Sequence, residues 1–130
     1  MILVDTTVWI DFFSARSCQH AKALENLILN REDICVCGII LTEVLQGIRK
    51  GSEFNRTRDL LANLIFLPMQ YSVFLRSAEI YRILRRKGIT IRKALDCMIA
   101  SVAIENDIPL LHNDKDFIPI EKHFGLKRLK

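Results

Sequence analysis

Acidic side chains stand inside apolar stretches at well-separated points of this chain. Asp5 follows Ile2-Leu3-Val4, and Glu43 lies within Gly38-Ile39-Ile40-Leu41-Thr42-Glu43-Val44-Leu45. Asp96 lies within Ala94-Leu95-Asp96-Cys97-Met98-Ile99-Ala100. Asp114 follows Pro109-Leu110-Leu111-His112-Asn113, with Asp116 two residues on. Carboxylates are seldom buried without a partner, and no buried Lys or Arg accompanies each of these acids in the sequence. One shared divalent cation is the economical partner, and hard oxygen donors favour Mg²⁺, with Mn²⁺ as a substitute.

A shared ion requires elements that bring these positions together. Ile2–Val4 is a fully apolar run of the kind that forms a buried parallel strand. Thr6 or Thr7 caps a following helix that carries Val8, Trp9, Ile10, Phe12 and Phe13. Helical spacing continues over 19–30, with Ala21, Leu24, Leu27 and Ile28 on one side. Ile34–Cys37 is a second strand broken by Gly38. Thr42 then caps a helix through Arg49 that Gly51 ends. A helix over 54–63 precedes a third strand, Ile65–Leu67, which Pro68 stops. Ser72 caps a long helix with Phe74, Leu75, Ala78, Tyr81 and Leu84, ending at Lys87-Gly88; its last turn carries Arg85, Arg86 and Lys87, as suits a helix C-terminus. Residues 92–106 form a further helix, 109–112 a fourth strand, and 126–129 a fifth at an edge.

Strands alternate with helices, which predicts a three-layer α/β/α sandwich on a mostly parallel sheet. At 130 residues the chain is expected to be one domain. In such sheets ligands bind at the carboxyl ends of the strands. Asp5 and Asp114 follow predicted strands, and Glu43 and Asp96 fall in first turns of predicted helices, so all four lie at one sheet edge.

Acids gathered this way repel: two unit charges at 4 Å cost about 4 kcal/mol at an effective dielectric of 20. The cluster must take up cations, protons or water. A bound Mg²⁺ makes a water more acidic and steadies a phosphoryl oxygen, an arrangement that recurs in nucleases. There are 19 Lys+Arg against 15 Asp+Glu, a net charge of +4 that permits a polyanionic partner without requiring one. If the acids converge, the remaining surface is more basic than that total, and Arg85-Arg86-Lys87 and Lys127-Arg128 are candidate phosphate contacts.

Cys18, Cys35, Cys37 and Cys97 lack zinc-site spacing and are expected as reduced thiols. With no basic stretch before an apolar run at the start and no segment of spanning length, the chain reads as cytoplasmic, with no membrane association. Asp11 is expected on the exposed side of the first helix.

Four motifs together carry a resemblance. Ile2-Leu3-Val4-Asp5-Thr6-Thr7-Val8-Trp9-Ile10-Asp11-Phe12, Leu41-Thr42-Glu43-Val44-Leu45-Gln46-Gly47, Ala94-Leu95-Asp96-Cys97-Met98-Ile99-Ala100-Ser101 and Leu110-Leu111-His112-Asn113-Asp114-Lys115-Asp116-Phe117 occur in order over nearly the whole chain. The chain resembles a PIN-domain ribonuclease and, more narrowly, the VapC toxins of toxin–antitoxin pairs. The resemblance implies Mg²⁺- or Mn²⁺-dependent, site-specific cleavage of structured RNA, such as a tRNA or ribosomal RNA, by metal-activated water. It implies Asp5 and Asp96 as the main metal ligands. Glu43 and Asp114 complete the quartet as ligands or through water, Asp116 helps a second metal, and Thr7 orients an acid or water. His112 and Asn113 depart from the Thr and Arg common at those positions. A VapB-type antitoxin partner and a homodimer, through the apolar helix surfaces near Trp9 and Phe74, are implied too.

Simpler readings exist for each acid: Asp5 and Asp114 as helix or turn caps, Glu43 as a dipole partner, and Asp96 paired with Arg92 or Lys93. Two rival functions remain: a PIN-like module that binds RNA or protein without cutting, and a Mg²⁺-dependent receiver-type phosphotransfer domain.

Overall fold

The computed structural model describes residues 1–129. Four strands form one all-parallel sheet in the order β3-β2-β1-β4. They are β1 (Ile2–Val4), β2 (Ile34–Cys37), β3 (Ile65–Leu67) and β4 (Leu110–Leu111). Seven α-helices surround the sheet among the described residues: α1 (Thr6–Phe13), α2 (Gln19–Leu29), α3 (Gly38–Gln46), α4 (Gly51–Ala62), α5 (Tyr71–Arg86), α6 (Ala94–Glu105) and α7 (Ile118–Phe124). Every residue of β1, β2 and β4 is buried. Successive strand residues point to opposite faces, so helices cover both, as an α/β/α sandwich requires. β3, at the edge, exposes Ile65 and Phe66 and buries only Leu67.

Chain order reverses direction at β1: β2 and β3 add on one side and β4 on the other. A parallel sheet has its crevice where the order reverses. The loops after β1 and β4 therefore meet at the strand ends beside Asp5 and Asp114.

Several boundaries differ from expectation for local reasons. Asp5, not Thr6 or Thr7, caps α1: its carboxylate accepts the Thr7 N–H at 3.2 Å. Gly38 does not interrupt the chain. Cys37 ends β2 and is already the N-cap of α3, so strand passes directly into helix. Thr42 is then interior to α3, and its hydroxyl donates to the Gly38 carbonyl at 2.8 Å. That helix ends at Gln46, and Gly51 opens α4 instead of closing α3. Gln70, not Ser72, caps α5, while the Ser72 hydroxyl donates to Glu105 at 2.9 Å. The fifth strand reduces to a single bridge between Leu110 and Arg128, because β4 is only two residues long.

α7 was not foreseen, although its signals are present. Pro119 stands in its first turn, and Gly125, with φ 71°, closes it in the left-handed region that glycine enters without penalty.

Trp9 is fully buried, its ring stacked on Phe13 at 5.7 Å, so it is core and unavailable to an interface. α5 buries Val73, Ser77, Ile80 and Leu84, leaving Phe74 and Leu75 exposed. Asp11 is not a surface acid. Its side chain is 14% exposed and pairs with Arg16 at 3.9 Å.

The four cysteines are free. Burial raises the thiol pKa of Cys35 and Cys37, and burial with nearby Asp96 pushes Cys97 up to about 11. Only Cys18, the N-cap of α2, is partly open. A thiol reagent such as DTNB at pH 8 is expected to titrate one cysteine per native chain quickly and all four after denaturation. Rapid reaction of three or more native thiols would contradict this packing.

Candidate active site

The strand-end edge collects the acids from four elements. Asp5 leaves β1 and is 2% exposed; one carboxylate oxygen accepts the Thr7 hydroxyl at 2.6 Å as well as its N–H. Burial raises the Asp5 pKa, the Thr7 hydrogen bonds oppose the rise, and Glu43 adds to it. Thr7, the residue expected to orient an acid or water, thus makes two hydrogen bonds to Asp5.

Glu43 reaches the same edge differently from expectation. It lies mid-way along α3, not in a first turn, and so gains nothing from the helix N-terminus. The Thr6 hydroxyl, from the helix after β1, donates to it at 2.7 Å. Thr6 is thus a site residue missed in the sequence. Its only signal was the doubled Thr6-Thr7, one hydroxyl for each of two acids.

Asp96 is in the first turn of α6, a helix buried over most of its length. It is 5% exposed, and its Oδ2 is buried without a hydrogen-bond partner. Desolvation first, then the charges of Asp5 and Asp114, raise its pKa to about 7, with Lys93 opposing. Those two causes act together, since a desolvated carboxyl feels neighbouring charge through little water.

Asp114 and Asp116 belong to a 3₁₀ turn, Lys115–Phe117, that follows β4. Asp114 caps this turn by accepting the Asp116 N–H at 2.9 Å. The capping readings of Asp5 and Asp114 are therefore correct as geometry, and they leave other carboxylate positions free for a ligand. His112 supports the turn: its Nδ1 accepts the Asp114 N–H at 3.2 Å, its Nε2 meets Glu121 at 2.8 Å, and its ring lies 4.8 Å from that of Phe117. An accepting Nδ1 places the proton on Nε2, which donates to Glu121. His112 is a satisfied structural residue. Asn113 is exposed beside it.

One oxygen each from Asp96, Asp114 and Asp116 lies within 4.8 Å of the others. Among the described residues these three acids form the compact group; it contains Asp96, and Asp5, expected with Asp96 as a main ligand, lies outside it. Asp5 is coupled to it through charge, and Glu43 through Asp5. The orphaned Asp96 oxygen and an all-carboxylate donor set suit a hard divalent cation.

Arg92 also departs from expectation. It does not pair with Asp96. Its Nε donates to Asp116 at 3.0 Å and its Nη2 to Asp114 at 3.3 Å, while its backbone N–H donates to Asp116 at 3.2 Å. Of the other basic candidates, Arg85 lies over Tyr81, Lys127 pairs with Asp107 and Arg128 with Glu121, while Arg86 and Lys87 are exposed at the end of α5.

A parallel sheet whose reversal point holds converging carboxylates defines an α/β protein with an acidic, cation-ready site. The PIN domain matches residues 2–122. The chain is 33% identical over 129 residues to Ribonuclease VapC11 of Mycobacterium tuberculosis, covering 98% of this chain and 96% of that one. It superposes on a toxin–antitoxin complex from Klebsiella pneumoniae with a TM-score of 0.71 at 25% identity, over 92% of each chain. It shares the fold of VapBC2 from Rickettsia felis, bound there to a promoter DNA fragment, with a TM-score of 0.76 at 22% identity, over 99% and 98% of the chains. The chain belongs to the PIN-domain family, within its VapC group.

Proposed function

We propose that this chain is a divalent-metal-dependent endoribonuclease that serves as the toxin of a VapBC-type pair. The observation that carries the reading is the buried, unpartnered Oδ2 of Asp96, on a residue grouped with Asp114 and Asp116 at ion-binding distance. The name of the mycobacterial relative, a ribonuclease, supports the reaction class.

Asp96, Asp114 and Asp116 would hold the ion, with Asp5 beside them. Mg²⁺, or Mn²⁺ in its place, supplies a more acidic water and a counter-charge for a phosphoryl oxygen when bound. The Thr7 hydroxyl holds Asp5 by a hydrogen bond, and the Thr6 hydroxyl holds Glu43 in the same way. With an ion bound beside Asp5, Glu43 would take up a proton from the water. Glu43 lines two grooves at once. One, of about 410 Å³, carries Arg49 and Lys50 and offers cations to an RNA backbone. The other, of about 470 Å³, is walled by Ile39, Met69, Phe74, Leu95 and Met98.

The substrate proposed is a structured RNA such as a tRNA or ribosomal RNA. The partner proposed is a VapB-type antitoxin, by likeness to the toxin–antitoxin complex from Klebsiella pneumoniae. Exposed Phe74 and Leu75 on α5 support a homodimer through that face. The location proposed is the cytoplasm and the organisation proposed is one domain over residues 1–130; four free thiols support the former. None of the described helices is long and apolar enough to cross a membrane.

The test is cleavage of total RNA by purified, partner-free chain in Mg²⁺, Mn²⁺ or EDTA, beside Asp5→Asn. Discrete fragments that need metal and disappear in the variant are expected. RNA retention in a gel shift, with intact RNA in every metal, would replace this reading with that of a non-catalytic binding module.

A further inference from the structure

Arg92 sits directly against the grouped acids. Its loop precedes α6 and is anchored by Ile91, 3% exposed. From there the guanidinium bridges two of the three grouped acids, Asp114 and Asp116, whose side chains are 8% and 10% exposed. The Asp116 Oδ2 receives two donors from this one residue, the backbone N–H and Nε. Asp96 has no such partner; its Oδ2 remains free.

The three acids are therefore unequal. Two are already partly neutralised by a cation that belongs to the chain, and one has a buried oxygen with no hydrogen-bond partner. Two-metal sites hold ions about 3.5–4 Å apart, each with its own oxygens. Here one oxygen of each acid on the Asp116 side, Asp116 Oδ2 and Asp114 Oδ1, is committed to the Arg92 guanidinium, and the other oxygen of each is left for the first ion. Arg cannot be deprotonated in a protein, so this positive charge is permanent.

We propose that Arg92 stands in for the second metal ion, so that the site takes a single divalent cation on the Asp96 side. This inference rests on the metal-dependent reading above and deepens it. Arg92 acts as a positioning residue: it sets how many ions the acids hold, through Asp114 and Asp116.

Calorimetric titration of the full chain with Mn²⁺ tests this without reference to activity. Wild type is expected to bind one ion per chain. Arg92→Gln is expected to bind two, and the second ion is expected to vanish when Asp116→Asn is added. Arg92→Lys, which keeps the charge, should bind one. Circular dichroism checks that each variant is folded. Two ions on the wild-type chain would overturn the proposal whatever the variants do, as would a folded Arg92→Gln that still binds one. The absence of Mn²⁺ binding by wild type would instead remove the metal-dependent reading, and this proposal with it.

Discussion

Asp96→Asn is expected to end RNA cleavage and, at the same time, to make the metal-free chain more stable at pH 8. Asparagine keeps the shape of the side chain but carries no charge, so the proposed ion would lose one carboxylate of the group. A fall in rate of about a thousandfold, equivalent to about 4 kcal/mol of barrier, is the expected scale.

The stability gain follows from the raised pKa. In the folded chain Asp96 titrates near 7, against 3.8 for the ordinary group. The folded state thus holds the proton more tightly. Its contribution is complete below about pH 4 and is lost as pH rises through 7, where a desolvated charge must form beside Asp5 and Asp114. At 1.36 kcal/mol per pKa unit the loss is on the order of 4 kcal/mol, shared with the acids coupled to it.

Urea unfolding in EDTA at pH 5 and pH 8 measures this directly. Wild type should lose stability between those values, and Asp96→Asn should lose much less. Mn²⁺ at pH 8 should restore wild type and leave the variant unchanged. A variant less stable than wild type at pH 8 in EDTA would refute the strain ascribed to this carboxyl.

Phe117→Ala is expected to cost about 3–5 kcal/mol, the usual range for deleting a buried aromatic ring. Phe117 is completely buried, and its ring lies 4.8 Å from that of His112. Its N–H also donates to the Asp114 carbonyl at 3.2 Å. The cavity would therefore open beneath the turn that presents Asp114 and Asp116, and His112 would lose the surface that seats it. Mn²⁺ affinity should fall with stability, although no ligand has been removed. Phe117→Leu fills much of the space and should cost less. An alanine variant within 1 kcal/mol of wild type by urea midpoint, with unchanged slope, would show that the turn does not depend on this ring.

The strands and acids were legible in the sequence because both answer to burial. A central parallel strand is covered on both faces, so Ile2–Val4 and Ile34–Cys37 are uninterrupted apolar runs. An acid within such surroundings stands out without any alignment. Helix faces were harder. α5 is apolar on more than one side, and its sequence alone does not say that Val73, Ile80 and Leu84 face inward while Phe74 and Leu75 face out. Helix starts were misread at Thr42 and Ser72 because a hydroxyl that suits a cap also bonds within a helix or to a neighbouring one.

By itself the sequence determined which residue types could hold an ion, and that Asp5 and Asp114 would follow strands at one edge. Tertiary structure decided which acids come within an ion's reach, that Glu43 leans on Thr6 from 37 residues away, and that Arg92 bridges acids 22 and 24 residues distant. The physical reason is one of range. Spacing along the chain sets a residue's place on its own helix or strand. The few ångströms between side chains on different elements are set by how those elements pack.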